Sequence, residues 1–176
     1  MPQYRRFYIP GATWFFTVTL AQRRGNDLLV RHVNLLRQAF ADTQHHYPFT
    51  MEAVVILPEH LHCIWTLPDG EADYSLRWRM LKAQFSRSIA TGEFVNASRK
   101  MRRERGIWQR RFWARQILHQ EDLHRHVDYI HFNPVKHGWV KRVQDWPYSS
   151  FHRYVRAGIY PLDWGGGDMA NIAGDD

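Results

Sequence analysis

A chain of 176 residues, 44% of them hydrophobic, has material for one folded core rather than two and is too apolar to stay disordered. Its net charge of +7 and isoelectric point near 9.9 favour an anionic partner, of which nucleic acid is the commonest. One cysteine, Cys63, excludes an internal disulfide and points to a reducing compartment; no apolar run approaches the ~18 residues of a membrane-crossing helix, and the N-terminus lacks the apolar stretch of a signal peptide.

Residues 4–9 (YRRFYI) interleave basic and aromatic side chains. Arg neutralises phosphate and aromatic faces stack on unpaired bases, so this mixture suits single-stranded nucleic acid better than a plain duplex. Residues 13–20 (TWFFTVTL) are β-branched and aromatic and read as a strand. The spacing of Val33, Leu36, Ala39 and Phe40 predicts a helix over 29–47, ended by Pro48. Residues 50–57 (TMEAVVIL) and 60–67 (HLHCIWTL) read as two strands joined by a tight turn at Pro58-Glu59. A second helix is predicted over 75–89, with Leu76, Met80, Leu81 and Phe85 on one side and Arg77, Lys82 and Arg87 on the other. Residues 91–106 are polar and basic and read as a loop, part of it disordered without DNA.

A further basic-aromatic run, residues 108–113 (WQRRFW), precedes a predicted fourth strand over 112–118. A third helix follows over 121–132, expected to stop at Asn133-Pro134 because proline disfavours helical geometry in the residue before it. Beyond it the chain reads as irregular with one short helix, and 165–176 as a flexible tail after a single domain over 1–164. The element order suggests an α+β sandwich, a mixed sheet with helices packed on it.

Two residues apart on a strand, His60 and His62 share a face, with Leu61 and Cys63 on the other. Paired imidazoles can hold a divalent metal; a pair of solvated or hydrogen-bonded histidines on a hairpin has the same spacing. On the third helix Leu123, Val127 and Ile130 form an apolar face, while Arg125, His126, Tyr129 and Asn133 fall together on another. A tyrosine hydroxyl becomes a nucleophile where a metal or base eases loss of its proton, and an Asn amide oxygen could complete a metal site. Tyr129 is equally compatible with amphipathic packing, and Asn133 with a helix C-cap. Glu59 either orients His60, binds water near the metal, or is an exposed turn residue. His137-Gly138 reads as a turn, and Ser149-Ser150 has no general-base partner visible in the sequence.

The stretch 57–65 (LPEHLHCIW) resembles the His-hydrophobic-His (HUH) signature of single-tyrosine transposases, and in particular of the REP-associated tyrosine transposases. The likeness continues in 4–9, 14–18 (WFFTV), 107–113 (IWQRRFW), 126–138 (HVDYIHFNPVKHG) and 145–151 (DWPYSSF), and so spans nearly the whole chain in the family's order. Residues 93–105 are longer and more basic than the family pattern, which leaves their role open.

The resemblance implies a ferredoxin-like α+β fold whose antiparallel sheet carries the two histidines on a central strand. It implies a bacterial, cytoplasmic, nucleoid-associated enzyme, monomeric, that cuts and rejoins single-stranded DNA bearing a repetitive extragenic palindromic (REP) hairpin. The family nucleophile falls on Tyr129, and its metal ligands on His60, His62 and Asn133. The implied metal is Mg²⁺ or Mn²⁺. Imidazole donors favour later metals; availability and the need for phosphate oxygens as further ligands reconcile the two. Tyr4, Arg5, Arg6, Arg110, Arg111 and Lys136 are the expected DNA contacts, Arg5 and Arg6 reading bases beside the hairpin. Two other readings remain: a non-catalytic DNA hairpin-binding module, and a metal-dependent hydrolase in which water attacks.

Overall fold

Four segments rich in β-branched and aromatic residues pair into one sheet. The computed structural model describes residues 7–93 and 95–167. The strands are β1 (Thr13–Thr19), β2 (Thr50–Ile56), β3 (His60–Thr66) and β4 (Trp113–Ile117), in the spatial order β2-β3-β1-β4. Every neighbouring pair is antiparallel, so the mixed sheet suggested by the element order is not formed. β1 and β2 do run the same way, but β3 lies between them and opposes both. The order is that of the ferredoxin-like fold, with the two histidines on a central strand.

Strand alternation sends the two sheet faces to two cores. Trp14, Phe16 and Val18 of β1 and Leu61, Cys63 and Trp65 of β3 are buried under α2 (Val33–His46) and α3 (Tyr74–Ser88). Trp65 stacks on Trp78 of α3 at 4.3 Å and on Phe49 at 4.0 Å. Cys63 is fully buried, and burial pushes its thiol well above its ordinary range, as expected of an inert core cysteine. On the opposite face Phe15, Val55 and Ile64 meet Val127 and Ile130 of α5 (Gln120–Lys136).

Several local expectations are corrected. The helix expected over 29–47 breaks at His32 (φ −111°, ψ 32°), leaving a one-turn α1 (Leu28–Arg31) before α2. Arg77 does not face solvent: it is 2% exposed and donates to the carbonyls of Pro48 and Asp73. A buried guanidinium is tolerated there because carbonyl acceptors satisfy it. The 91–106 segment contains α4 (Ala97–Met101) and is tied down by Arg105, which donates to the carbonyls of Ser86, Ile89 and Ala90 and pairs with Glu93. Phe112 packs against Phe16, Trp78 and Tyr74 rather than opening β4.

The helix expected to stop at Asn133 continues through Pro134 to Lys136. Proline there removes one backbone donor in the last turn only. The carbonyls of Asn133, Pro134 and Val135 accept from His137, Trp139 and Gly138, and Gly138 (φ 72°) closes the helix in the left-handed conformation. After α6 (Phe151–Arg156) the chain returns across α5: Tyr160 donates to Asp128, and Trp164 lies 4.6 Å from Tyr160. Residues 165–167, expected in the tail, include Gly166, which packs on Phe132 of α5; residues 168–176 lie outside the described residues.

Candidate functional site

The pairing register builds the site. His62 of β3 faces Thr17 of β1, and Thr17 Oγ1 lies 2.8 Å from His62 Nδ1. That contact fixes the ring and assigns Nδ1 to the hydroxyl, so Nε2 is the atom a metal would take. His60 faces Thr19, and its Nδ1 lies 3.0 Å from Glu59 Oε2, an ion-pair contact off the line of a hydrogen bond. Glu59 is also held by Arg23 at 3.0 Å. Burial pushes the Glu59 carboxyl up, but His60 and Arg23 outweigh it and hold it at about 2. Glu59 is therefore no exposed turn residue: its side chain is 16% exposed and lies against His60. The two imidazoles are 5% and 4% exposed, with ring centroids 5.0 Å apart.

α5 brings the tyrosine to the histidines. The Tyr129 ring lies 5.5 Å from His62, and Lys136 Nζ sits 5.0 Å above the Tyr129 ring. His137, at the C-cap of α5, lies 5.3 Å from His60. Tyr129, Asn133 and His137 follow one another at four-residue intervals and so share a helix stripe. The stripe meets His62 at one end and His60 at the other, which sets Asn133 between them. Asn133 is fully buried, and neither of its amide atoms has a hydrogen-bond partner among the described residues. Left so, a buried amide is costly. Two imidazoles and an amide oxygen on facing elements are a donor set that could hold one divalent cation, whose coordination would satisfy that oxygen. The alternative reading of Asn133 as a C-cap fails, since the helix runs three residues past it.

Arg125 and His126 both reach back to Asp122, and His126 shares Phe15 with Tyr129 as their common face predicts. Arg125 Nη2 and His126 Nδ1 lie 3.3 Å and 3.2 Å from Asp122 Oδ1. The His126 and His62 rings both contact Phe15, at 5.1 Å and 5.5 Å. Arg111 is exposed near the start of β4, whereas Arg110 pairs with Glu104 at 3.0 Å and lines a cleft with Tyr8, Arg79 and Lys82. Tyr4, Arg5 and Arg6 lie outside the described residues. Ser150, left without a base partner in the sequence, has one in space: its hydroxyl lies 2.8 Å from His131 Nε2. Both residues are buried, burial lowers His131 to about 3, and the pair links α5 to β2. Thr17 and His137 were not foreseen. Thr17 becomes visible only through the β1–β3 register, while His137 carried a signal in its spacing from Asn133.

A cleft of about 650 Å³ between residues 21–32 and 89–107 lies apart from the histidines and Tyr129. Clusters of three or more His, Cys, Asp or Glu side chains suited to a metal are absent among the described residues.

No family model matches the chain. A REP-associated tyrosine transposase of Escherichia coli (strain K12) is 49% identical over 166 residues, covering 94% of this chain and 92% of that one. The chain belongs to the REP-associated tyrosine transposases. A second relative of this transposase, from Haemophilus influenzae, is 47% identical over 176 residues, 99% of both chains. A solved structure of a REP-associated tyrosine transposase bound to a REP hairpin superposes with a TM-score of 0.82 at 47% identity, covering 100% of this chain and 98% of that one. The transposase therefore shares the α+β sheet architecture of that protein and is similar to it in sequence over its whole length.

Proposed function

We propose that this transposase binds single-stranded DNA carrying a REP hairpin, cleaves it with Tyr129 and rejoins it through a 5′-phosphotyrosine intermediate. The observation that carries the reading is the convergence of Tyr129 on His62, with Lys136 above its ring. The hairpin-bound relative supports the choice of DNA.

His60, His62 and Asn133 would hold one Mg²⁺ or Mn²⁺, which when bound polarises the scissile phosphate. Tyr129 Oη attacks phosphorus, the bond to the 3′ oxygen breaks, and that oxygen leaves with a proton as a 3′-hydroxyl. The phosphoryl group stays esterified to tyrosine, so attack by another 3′-hydroxyl reseals DNA without ATP. The Lys136 ammonium favours the developing phenolate and the approaching phosphate. Thr17 and Glu59 keep the two imidazoles in fixed orientations. Arg111, with Arg110, Tyr4, Arg5 and Arg6, supplies the DNA contacts; residues 1–164 act as one catalytic domain, as a monomer, in the nucleoid-bearing cytoplasm. No described helix is long and apolar enough to cross a membrane.

Incubation with a single-stranded REP-hairpin oligonucleotide and Mn²⁺ tests the reading. Cleavage that EDTA and His62→Ala both abolish is expected. Hairpin binding without cleavage under any metal would establish the non-catalytic module instead.

A further inference from the structure

Trp113 is 57% exposed and Trp139 51%, whereas Trp14, Trp65, Trp78, Trp108 and Trp146 are each 8% exposed or less. Trp113 opens β4, the strand at the edge of the sheet. Thr17 is the cross-strand partner of both His62 and Trp113, so one row runs Val55–His62–Thr17–Trp113 across all four strands. Directly opposed residues share a face. Trp113 therefore stands on the His60–His62 face, two strand spacings or about 10 Å from His62. Among the described residues α5 packs chiefly against β2 and β3 and reaches β1 at Phe15, while Trp113 on β4 stays exposed.

An exposed indole on the edge strand offers a flat aromatic face to an occupant. Charge complementarity says which. Arg115, two residues on and so on the same face, is 55% exposed and reaches Asp122 only at 3.8 Å; Arg111, two residues before, is exposed. An aromatic face between two arginines matches a nucleobase between two phosphates.

We propose that Trp113 is a stacking platform for one unpaired base of the strand engaged at Tyr129, with Arg111 and Arg115 on the flanking phosphates. This rests on the reading that Tyr129 works on single-stranded DNA. It adds a specificity element, because the stacked base sets which phosphodiester lies over the histidines.

Fluorescence anisotropy of a labelled REP-hairpin oligonucleotide in EDTA measures binding apart from chemistry. Trp113→Ala should weaken binding on the order of 10- to 100-fold, and Trp113→Phe should retain most of it. Among oligonucleotides bearing one abasic site each in the single-stranded flank, one should lose the same factor with the parent protein, and Trp113→Ala should lose nothing more on it. Parental affinity in Trp113→Ala, or an equal further loss on every abasic oligonucleotide, overturns the stacking site alone. A parent protein that does not bind the hairpin overturns the functional reading and this inference with it.

Discussion

The Nδ1 of each candidate metal-binding histidine meets a different neighbour: the Thr17 hydroxyl across the sheet for His62, the charge of the adjacent Glu59 for His60. Such partners fix ring orientation and ligand basicity, and their loss typically lowers metal affinity ~10- to 100-fold. Thr17→Val keeps the β-branched shape and removes the hydroxyl. It should raise the Mn²⁺ concentration for half-maximal cleavage by about that factor, read from a metal titration of nicking, with hairpin binding in EDTA unchanged. An unchanged midpoint would mean that the Thr17 contact is incidental. The two histidines were legible from their period of two. Their partners were not, because Thr17 lies 45 positions away and meets His62 only through the register.

α5 presents Tyr129, Asn133 and Lys136, so its seating is a condition of the site. At its start Asp122 receives Arg115 from β4, Arg125 and His126 from its own helix, and the Leu118 amide. Burial raises the Asp122 carboxyl, but these donors and cations outweigh it and hold it below the ordinary 3.8. The stabilisation is complete above pH 3.8 and fades as the pH falls through the lowered folded-state value. Asp122→Asn should therefore lower the Tm at pH 7, and the gap to the parent should close as the pH is taken below 3.8. At the other end Gly166 (φ 99°) abuts Phe132 so closely that an added Cβ would sit 2.5 Å from its ring. Gly166→Ala forces a shift of the returning segment and should cost ~1–3 kcal/mol in denaturant unfolding. The length of α5 was misjudged from the sequence because Pro134 signals a break. The turn survives because proline there loses one bond, while Asn133 and Pro134 are buried.

Across the molecule the net charge of +7 is a long-range attraction for DNA, and salt should weaken it. The logarithm of the hairpin-binding constant should fall linearly with the logarithm of salt, and Arg111→Ala should reduce that slope by about 0.7. An unchanged slope would place Arg111 off the phosphate path. The α+β fold and its four strands followed from runs such as TWFFTVTL and HLHCIWTL, whose composition and alternation are local properties. Antiparallel pairing throughout, the burial of Arg77 and the anchoring of 91–106 by Arg105 depend on distant carbonyls, which no local pattern announces. Spacing left Tyr129 compatible with plain packing and only the family resemblance marked it out; the fold adds that α5 sets it beside His62.

The assignment of Tyr129 as nucleophile is tested most directly by its covalent product. A REP-hairpin oligonucleotide labelled at the 3′ end, incubated with Mn²⁺ and resolved on a denaturing gel, should leave label on the protein, with peptide mapping placing it on Tyr129. Tyr129→Phe should bind the hairpin with parental affinity and form neither adduct nor nick. Persistent cleavage by Tyr129→Phe would contradict the account and make water the nucleophile.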